Sequence, residues 1–74
     1  MKNGYLYENL GSKIRSLRKQ KGLTIAQLAE VAGIDDYYLG EIERAEKKAT
    51  LDTLSKLAGA LETELYLLLK FDED

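Results

Sequence analysis

The 74-residue sequence has no cysteine, no histidine and no proline. Without cysteine there is neither a disulfide framework nor a thiolate metal site. Without histidine, zinc sites and imidazole acid–base chemistry drop out, leaving only carboxylates, lysines, tyrosines and hydroxyls. The lack of proline, with 45% hydrophobic residues, points to a globular chain of the all-α class. No apolar run approaches the roughly 20 residues of a membrane span, and the N-terminus lacks the apolar segment of a signal peptide. A cytoplasmic protein with no membrane association is therefore expected. The length allows one hydrophobic core and a single domain over 1–74. So small a domain offers little concave space for a substrate. We expect no enzyme, no cofactor and no metal.

The net charge of −2 is unevenly spread. Residues 1–24 carry six basic groups and one acidic group, whereas residues 25–46 carry one basic and six acidic groups. The basic segment could follow a phosphate backbone; the acidic one, alone, would repel it.

Five helices are predicted. Leu10, Ile14 and Leu17 recur with helical period and mark an amphipathic helix over about 7–21, with Lys13, Arg15, Lys19 and Lys21 away from the stripe and Gly22 as its stop. That basic face is either a phosphate-contacting surface or simply solvated. "LTIAQLAEVAG" opens with a capping box: Thr24 at the N-cap and Gln27 three residues on can each satisfy a free backbone donor. Gly33 breaks this second helix, Ile34 plugs the core beneath the turn, and Asp35 caps a third helix over 36–44. Leu39, Ile42, Tyr38 and Ala45 should face inward. Thr50 caps a fourth helix over 51–61, with Leu51, Leu54, Leu57, Ala58 and Leu61 as its buried stripe. The fifth, about 63–70, is apolar nearly all round, as a surface helix of a small monomer should not be. Leu65, Leu68 and Leu69 can serve the core, which leaves Tyr66, Leu67 and Phe71 uncovered. The alternative is a C-terminal strap wholly used by the core. The acidic end, 72–74, reads as a solvated tail.

Two short helices joined by a glycine turn form a helix-turn-helix, here about 24–45. Counting from Ile25, Ala29 follows at +4, Gly33 at +8, Leu39 at +14 and Ile42 at +17. The small residue permits close helix crossing, the glycine tolerates a left-handed turn, and the two aliphatics anchor the third helix.

On these residues, and on "IRSLRKQKGLTIAQLAEVAGI", "YLGEIERAEKK" and "TLDTLSKLAGAL", the chain resembles the Cro and phage-repressor-like (XRE-type) helix-turn-helix regulators. Within them it looks most like the small controller proteins of restriction–modification systems. The resemblance implies a compact five-helix, lambda-repressor-like DNA-binding domain in a bacterial or phage, nucleoid-associated setting. It implies dimerisation through the last helix (about 63–71, with Tyr66, Leu67 and Phe71) and binding of a homodimer to a two-fold operator in double-stranded DNA. Residue by residue, Arg18 and Glu43 match a structural salt bridge between the first and third helices, the alternative being two independently solvated charges. Losing one partner of such a partly buried pair would cost on the order of 3 kcal/mol. Asp36, Tyr37 and Glu41 match positions that read base edges, with Gly40 and Arg44 on the same face. Lys13, Arg15, Lys19, Thr24, Tyr38, Lys47 and Lys48 are the expected phosphate contacts.

The pattern also has departures. Ile25 stands where the family usually has glutamine, and two base-reading positions are carboxylates. Ala45 and Glu62 replace glycines at two connections. Three accounts of the acidic helix compete. Asp36 and Glu41 could accept from cytosine N4, a contact worth roughly 1–3 kcal/mol of discrimination. The Asp36–Tyr37–Glu41 face could instead bind a basic protein partner, as an antitoxin-like module would. Or it is merely solvated. Gly40, costly in mid-helix, either permits close approach of another backbone, DNA or protein, or is simply tolerated there.

Overall fold

The computed structural model describes residues 5–71. Lys2 of the basic segment and the acidic tail 72–74 lie outside them. Five helices follow in order: α1 (Leu6–Gln20), α2 (Ile25–Ala32), α3 (Asp36–Glu43), α4 (Leu51–Ala60) and α5 (Leu65–Leu68). Among the described residues there is no strand.

Three helices begin on a side chain that satisfies a first-turn N–H. Thr24 Oγ1 accepts from the Gln27 N–H at 3.1 Å, and Gln27 Oε1 accepts from the Thr24 N–H at 2.8 Å, which completes the capping box of α2. Asp35 accepts from the Tyr38 N–H at 3.1 Å to start α3, and Thr50 from the Thr53 N–H at 3.1 Å to start α4.

The ends of α1 to α4 share one geometry. In each, two residues beyond the last helical turn donate back to carbonyls in a Schellman arrangement: Gly22 and Leu23, Gly33 and Ile34, Ala45 and Glu46, Glu62 and Thr63. The first residue of each pair sits at positive φ: 72° for Gly22, 75° for Gly33, 61° for Ala45 and 58° for Glu62. Two of the four turns thus place a residue with a Cβ in the left-handed region, where it is strained by roughly 1–2 kcal/mol. These are the two positions where the sequence lacks the expected glycine.

Helix α3 packs on α1 and α2, α4 packs on α2 and α5, and α5 returns to α1. The core at their centre holds Ile14, Leu28, Leu39, Ile42, Leu57 and Leu68, each nearly inaccessible to solvent. Gly11 is what lets α1 approach α3. A Cβ there would lie 2.5 Å from the Glu43 carbonyl oxygen and 2.7 Å from that of Ile42, so only glycine fits without a backbone shift.

Two residues expected to face inward, Leu51 and Leu69, face outward, and Phe71, expected to be uncovered, is partly packed. Helix α5 is a single turn rather than a helix over 63–70, because the turn after α4 consumes Glu62 and Thr63 and Glu64 is extended. Beyond Leu68 the Leu69 and Lys70 N–H groups bond only three residues back, to Tyr66 and Leu67. Shortening the helix turns Leu69 outward to 38% exposure and lets Phe71 pack partly on the core, the reverse of the expected assignment. Leu51, at the first position of α4, is exposed rather than part of its buried stripe.

Candidate nucleic-acid interface

Arg18 is the charged residue buried at the junction of α1, α2 and α3. Its Nε and Nη2 donate to Glu43 Oε2 at 2.7 Å and Oε1 at 3.0 Å, and Nη1 donates to the Leu23 carbonyl at 2.9 Å. Bidentate geometry satisfies both partners, and the bonds to Glu43, against the opposing effect of burial, hold the guanidinium proton more tightly than in water. No buried side-chain polar atom among the described residues is left without a hydrogen bond. This bridge fixes the angle at which α3 is presented.

The exposed face of α3 and the start of α2 flank a shallow groove. It is lined by Thr24, Ile25 and Ala26 on one side and by Asp36, Tyr37, Gly40 and Arg44 on the other. Asp36 and Tyr37 are exposed, Tyr37 to 71%. Glu41 is half-buried and is not among the residues that line the groove. Ile25 lies partly against the core, so α2 opens with an apolar wall where a polar side chain would reach outward. The Thr24 hydroxyl accepts within its cap and keeps its proton to donate.

Gly40 corrects an expectation. It is buried, and the group approaching its missing Cβ is the guanidinium of Arg44 in the same chain, with Nη1 3.0 Å from where a Cβ would stand. Arg44 in turn donates from Nε and Nη2 to Glu46 Oε2 and Oε1, both at 3.1 Å. These bonds, with the nearby carboxylates of Glu46 and Glu41, raise the Arg44 pKa despite slight desolvation, and the same bonds lower that of Glu46. Sequence reasoning missed Glu46. Residues two apart lie on different faces of a helix, and only the left-handed Ala45 between them brings Arg44 and Glu46 together.

The basic residues divide into groups. Arg15 and Lys19 are exposed along one side of α1 with Ser12 and Ser16, and Arg15 also borders the space between Arg18 and Arg44. Lys13 faces elsewhere, beside Asn9, Lys70 and Phe71 near the C-terminal end of the fold. Lys47 is exposed in the loop after α3. Lys48 stands with its ammonium 5.5 Å from the centre of the Tyr7 ring, and its carbonyl accepts from the Tyr38 hydroxyl at 3.5 Å. The structure thus gathers Arg15, Thr24, Asp36, Tyr37 and Arg44 around α2 and α3, while Lys19 stays on the side of α1 and Lys13 belongs to another face. Among the described residues no group of acidic side chains could hold a metal ion.

The sequence profile described as Helix-turn-helix matches residues 14–68. The control protein C.SmaI of Serratia marcescens is 44% identical over 62 residues, covering 84% of this chain and 74% of that protein. The chain spans smaller shares, 36% and 29%, of two longer regulators that it also matches. Among solved structures, the restriction–modification controller protein C.AhdI of Aeromonas hydrophila superposes with a TM-score of 0.82 at 37% identity, over 84% of this chain and 94% of that one. SinR, the master regulator for biofilm formation, solved in complex with DNA, superposes with a TM-score of 0.79 at 34% identity, over 82% of this chain and 98% of that one. With the profile running from the middle of α1 to the end of α5, the chain belongs to the Helix-turn-helix family.

Proposed function

We propose that this chain is a sequence-specific, double-stranded-DNA-binding transcriptional regulator, a single helix-turn-helix domain acting as a homodimer in the cytoplasm at the nucleoid. The observation that carries the reading is the groove between α2 and α3, with Tyr37, Asp36 and Arg44 presented on a helix whose angle is locked by Arg18–Glu43. The likeness to SinR, a relative solved on DNA, supports the same use of that face. In this reading α3 enters the major groove, and two copies engage half-sites roughly 34 Å apart on one face of the duplex. The start of α2, Arg15, Lys19 and Lys47 grip phosphates, which supplies the affinity that the acidic helix withholds. Asp36 and Glu41 select by accepting from cytosine and by rejecting the acceptor edges of other bases. No helix among the described residues is long and apolar enough to cross a membrane.

Selection of sites from a random duplex library at two salt concentrations tests this, with wild type beside a double Asp36→Ala, Glu41→Ala variant. A two-fold symmetric motif, with the variant losing preference at particular base pairs, is the expected result. A wild type that enriches nothing, beside a variant that gains salt-sensitive binding, would sink the DNA reading and turn attention to a basic protein partner.

A further inference from the structure

Arg44 is the single cation between residues 25 and 46, and its half-exposed guanidinium lies back along α3, against Gly40. Three features converge on its guanidinium. Gly40 leaves room for it to lie along α3, although glycine disfavours the interior of a helix. Ala45 takes a left-handed conformation that brings the next side chain round. Glu46 then grips the Nε and Nη2 edge through two 3.1 Å hydrogen bonds. Glu46 is itself placed by its backbone, since its N–H donates to the Glu41 carbonyl at 2.8 Å. A pairing that draws on two conformationally costly residues fixes an orientation, and an orientation matters only for a group with a directional partner.

We propose that Glu46 is a positioning residue, a specificity determinant that aims Arg44 at a guanine. The inference rests on the DNA-reading function proposed above. Of the five N–H donors of a guanidinium, Glu46 engages two, which leaves three on the Nη1 and Nη2 end. Two parallel donors at that end match the O6 and N7 acceptors that guanine presents in the major groove. The clamp also cancels the charge of Arg44 locally, so the arginine contributes direction more than general attraction for phosphate. On the same helix the acidic Asp36 and Glu41 favour cytosine, so a guanine-directed Arg44 adds a reader of the opposite base.

The test uses the operator selected by the wild-type protein and its single-base-pair variants, with binding measured at several salt concentrations. Glu46→Ala should lose about tenfold or more of the discrimination at one G·C pair in each half-site, while binding to unrelated duplex holds or rises and its salt slope steepens by about one ion. Glu46→Gln, which keeps an acceptor for Arg44, should recover part of the discrimination. Arg44→Ala should lose preference at the same pair, and adding Glu46→Ala to it should change nothing further there. If Glu46→Ala shifts affinity equally on every sequence, Glu46 only screens charge and the proposal falls. It also falls if Glu46→Ala weakens discrimination just as much when Arg44 is already alanine. A wild type that selects no operator overturns the DNA-reading function itself, whereas an operator insensitive to Glu46 overturns only this assignment.

Discussion

Glu43 holds α1 against α3 twice: its carboxylate receives Arg18 at 2.7 and 3.0 Å, and its main-chain carbonyl faces the missing Cβ of Gly11. One residue of α3 therefore carries both the charged and the steric contact that set its position.

The charged contact should reveal itself through non-additivity. Arg18→Met or Glu43→Leu alone leaves an uncompensated buried charge and should lower stability by about 3 kcal/mol in urea unfolding. The double substitution, which removes both charges and keeps the volume, should recover most of that loss. A double variant as unstable as the sum of the two would show that the pair is not coupled.

The steric contact should be equally plain. Gly11→Ala inserts a methyl into backbone oxygens that cannot rotate away, and should cost about 2–3 kcal/mol. For a domain of this size that corresponds to a fall in Tm of roughly 10–20 °C by circular dichroism. Gly59→Ala, where an added Cβ meets nothing within 4 Å, is the control and should be stabilising by up to about 1 kcal/mol.

The two strained turns predict an unusual gain. Ala45→Gly relieves left-handed strain of roughly 1–2 kcal/mol and gives back about 0.4–1 kcal/mol through the more flexible unfolded chain. A net stabilisation of about 0.5–1 kcal/mol should appear as a higher urea midpoint with unchanged slope. Gly33→Ala, at φ 75°, should move the midpoint the other way.

The acidic partners of exposed pairs should stand out in an NMR pH titration. The Lys21 ammonium, bonded to Glu62, holds that carboxyl below the usual glutamate range, as Arg44 does for Glu46. Because these folded-state pKa values are depressed, the pairs contribute above the unfolded pKa and lose that contribution as pH falls through the folded one. Exposed pairs add little to melting, so the titration midpoint is the readout. Lys21→Ala should return Glu62 to the ordinary range and leave Glu46 where it was.

The proposed dimer should separate when its apolar cover is removed. Tyr66 is 67% exposed, so Tyr66→Glu should leave the monomer folded while sedimentation at micromolar concentration shifts from dimer to monomer. Leu67 is already half-buried, and a charge there would also disturb the fold. A wild-type chain that sediments as a monomer would refute the dimer.

Much of this architecture could be read from local chemistry. The caps at Thr24, Asp35 and Thr50 depend on side chains within three residues of the N–H groups they satisfy, and the stops at Gly22 and Gly33 need only a residue tolerant of positive φ. The Arg18–Glu43 bridge spans 25 residues and was found through family resemblance, since no local period could link its ends. Gly11 was overlooked although it lies beside the buried stripe of Leu10 and Ile14; a helix-interior glycine next to an inward face was the available signal. The length of α5 and the side of Leu69 were misjudged because apolar residues all round a segment give no phase, and the preceding turn decided where the helix could start. Glu46 was hidden for a related reason, its contact with Arg44 existing only once Ala45 leaves helical geometry.

The two non-glycine turns also bracket a single helix. Ala45 precedes the loop into α4 and Glu62 follows its last turn. Unwinding the segment from the last turn of α3 through α4 lets both residues relax, whereas detaching α2 releases neither. Sub-global opening is thereby biased toward one segment, and amide exchange under native conditions should proceed sooner in α4 than the burial of Leu54 and Leu57 alone would suggest.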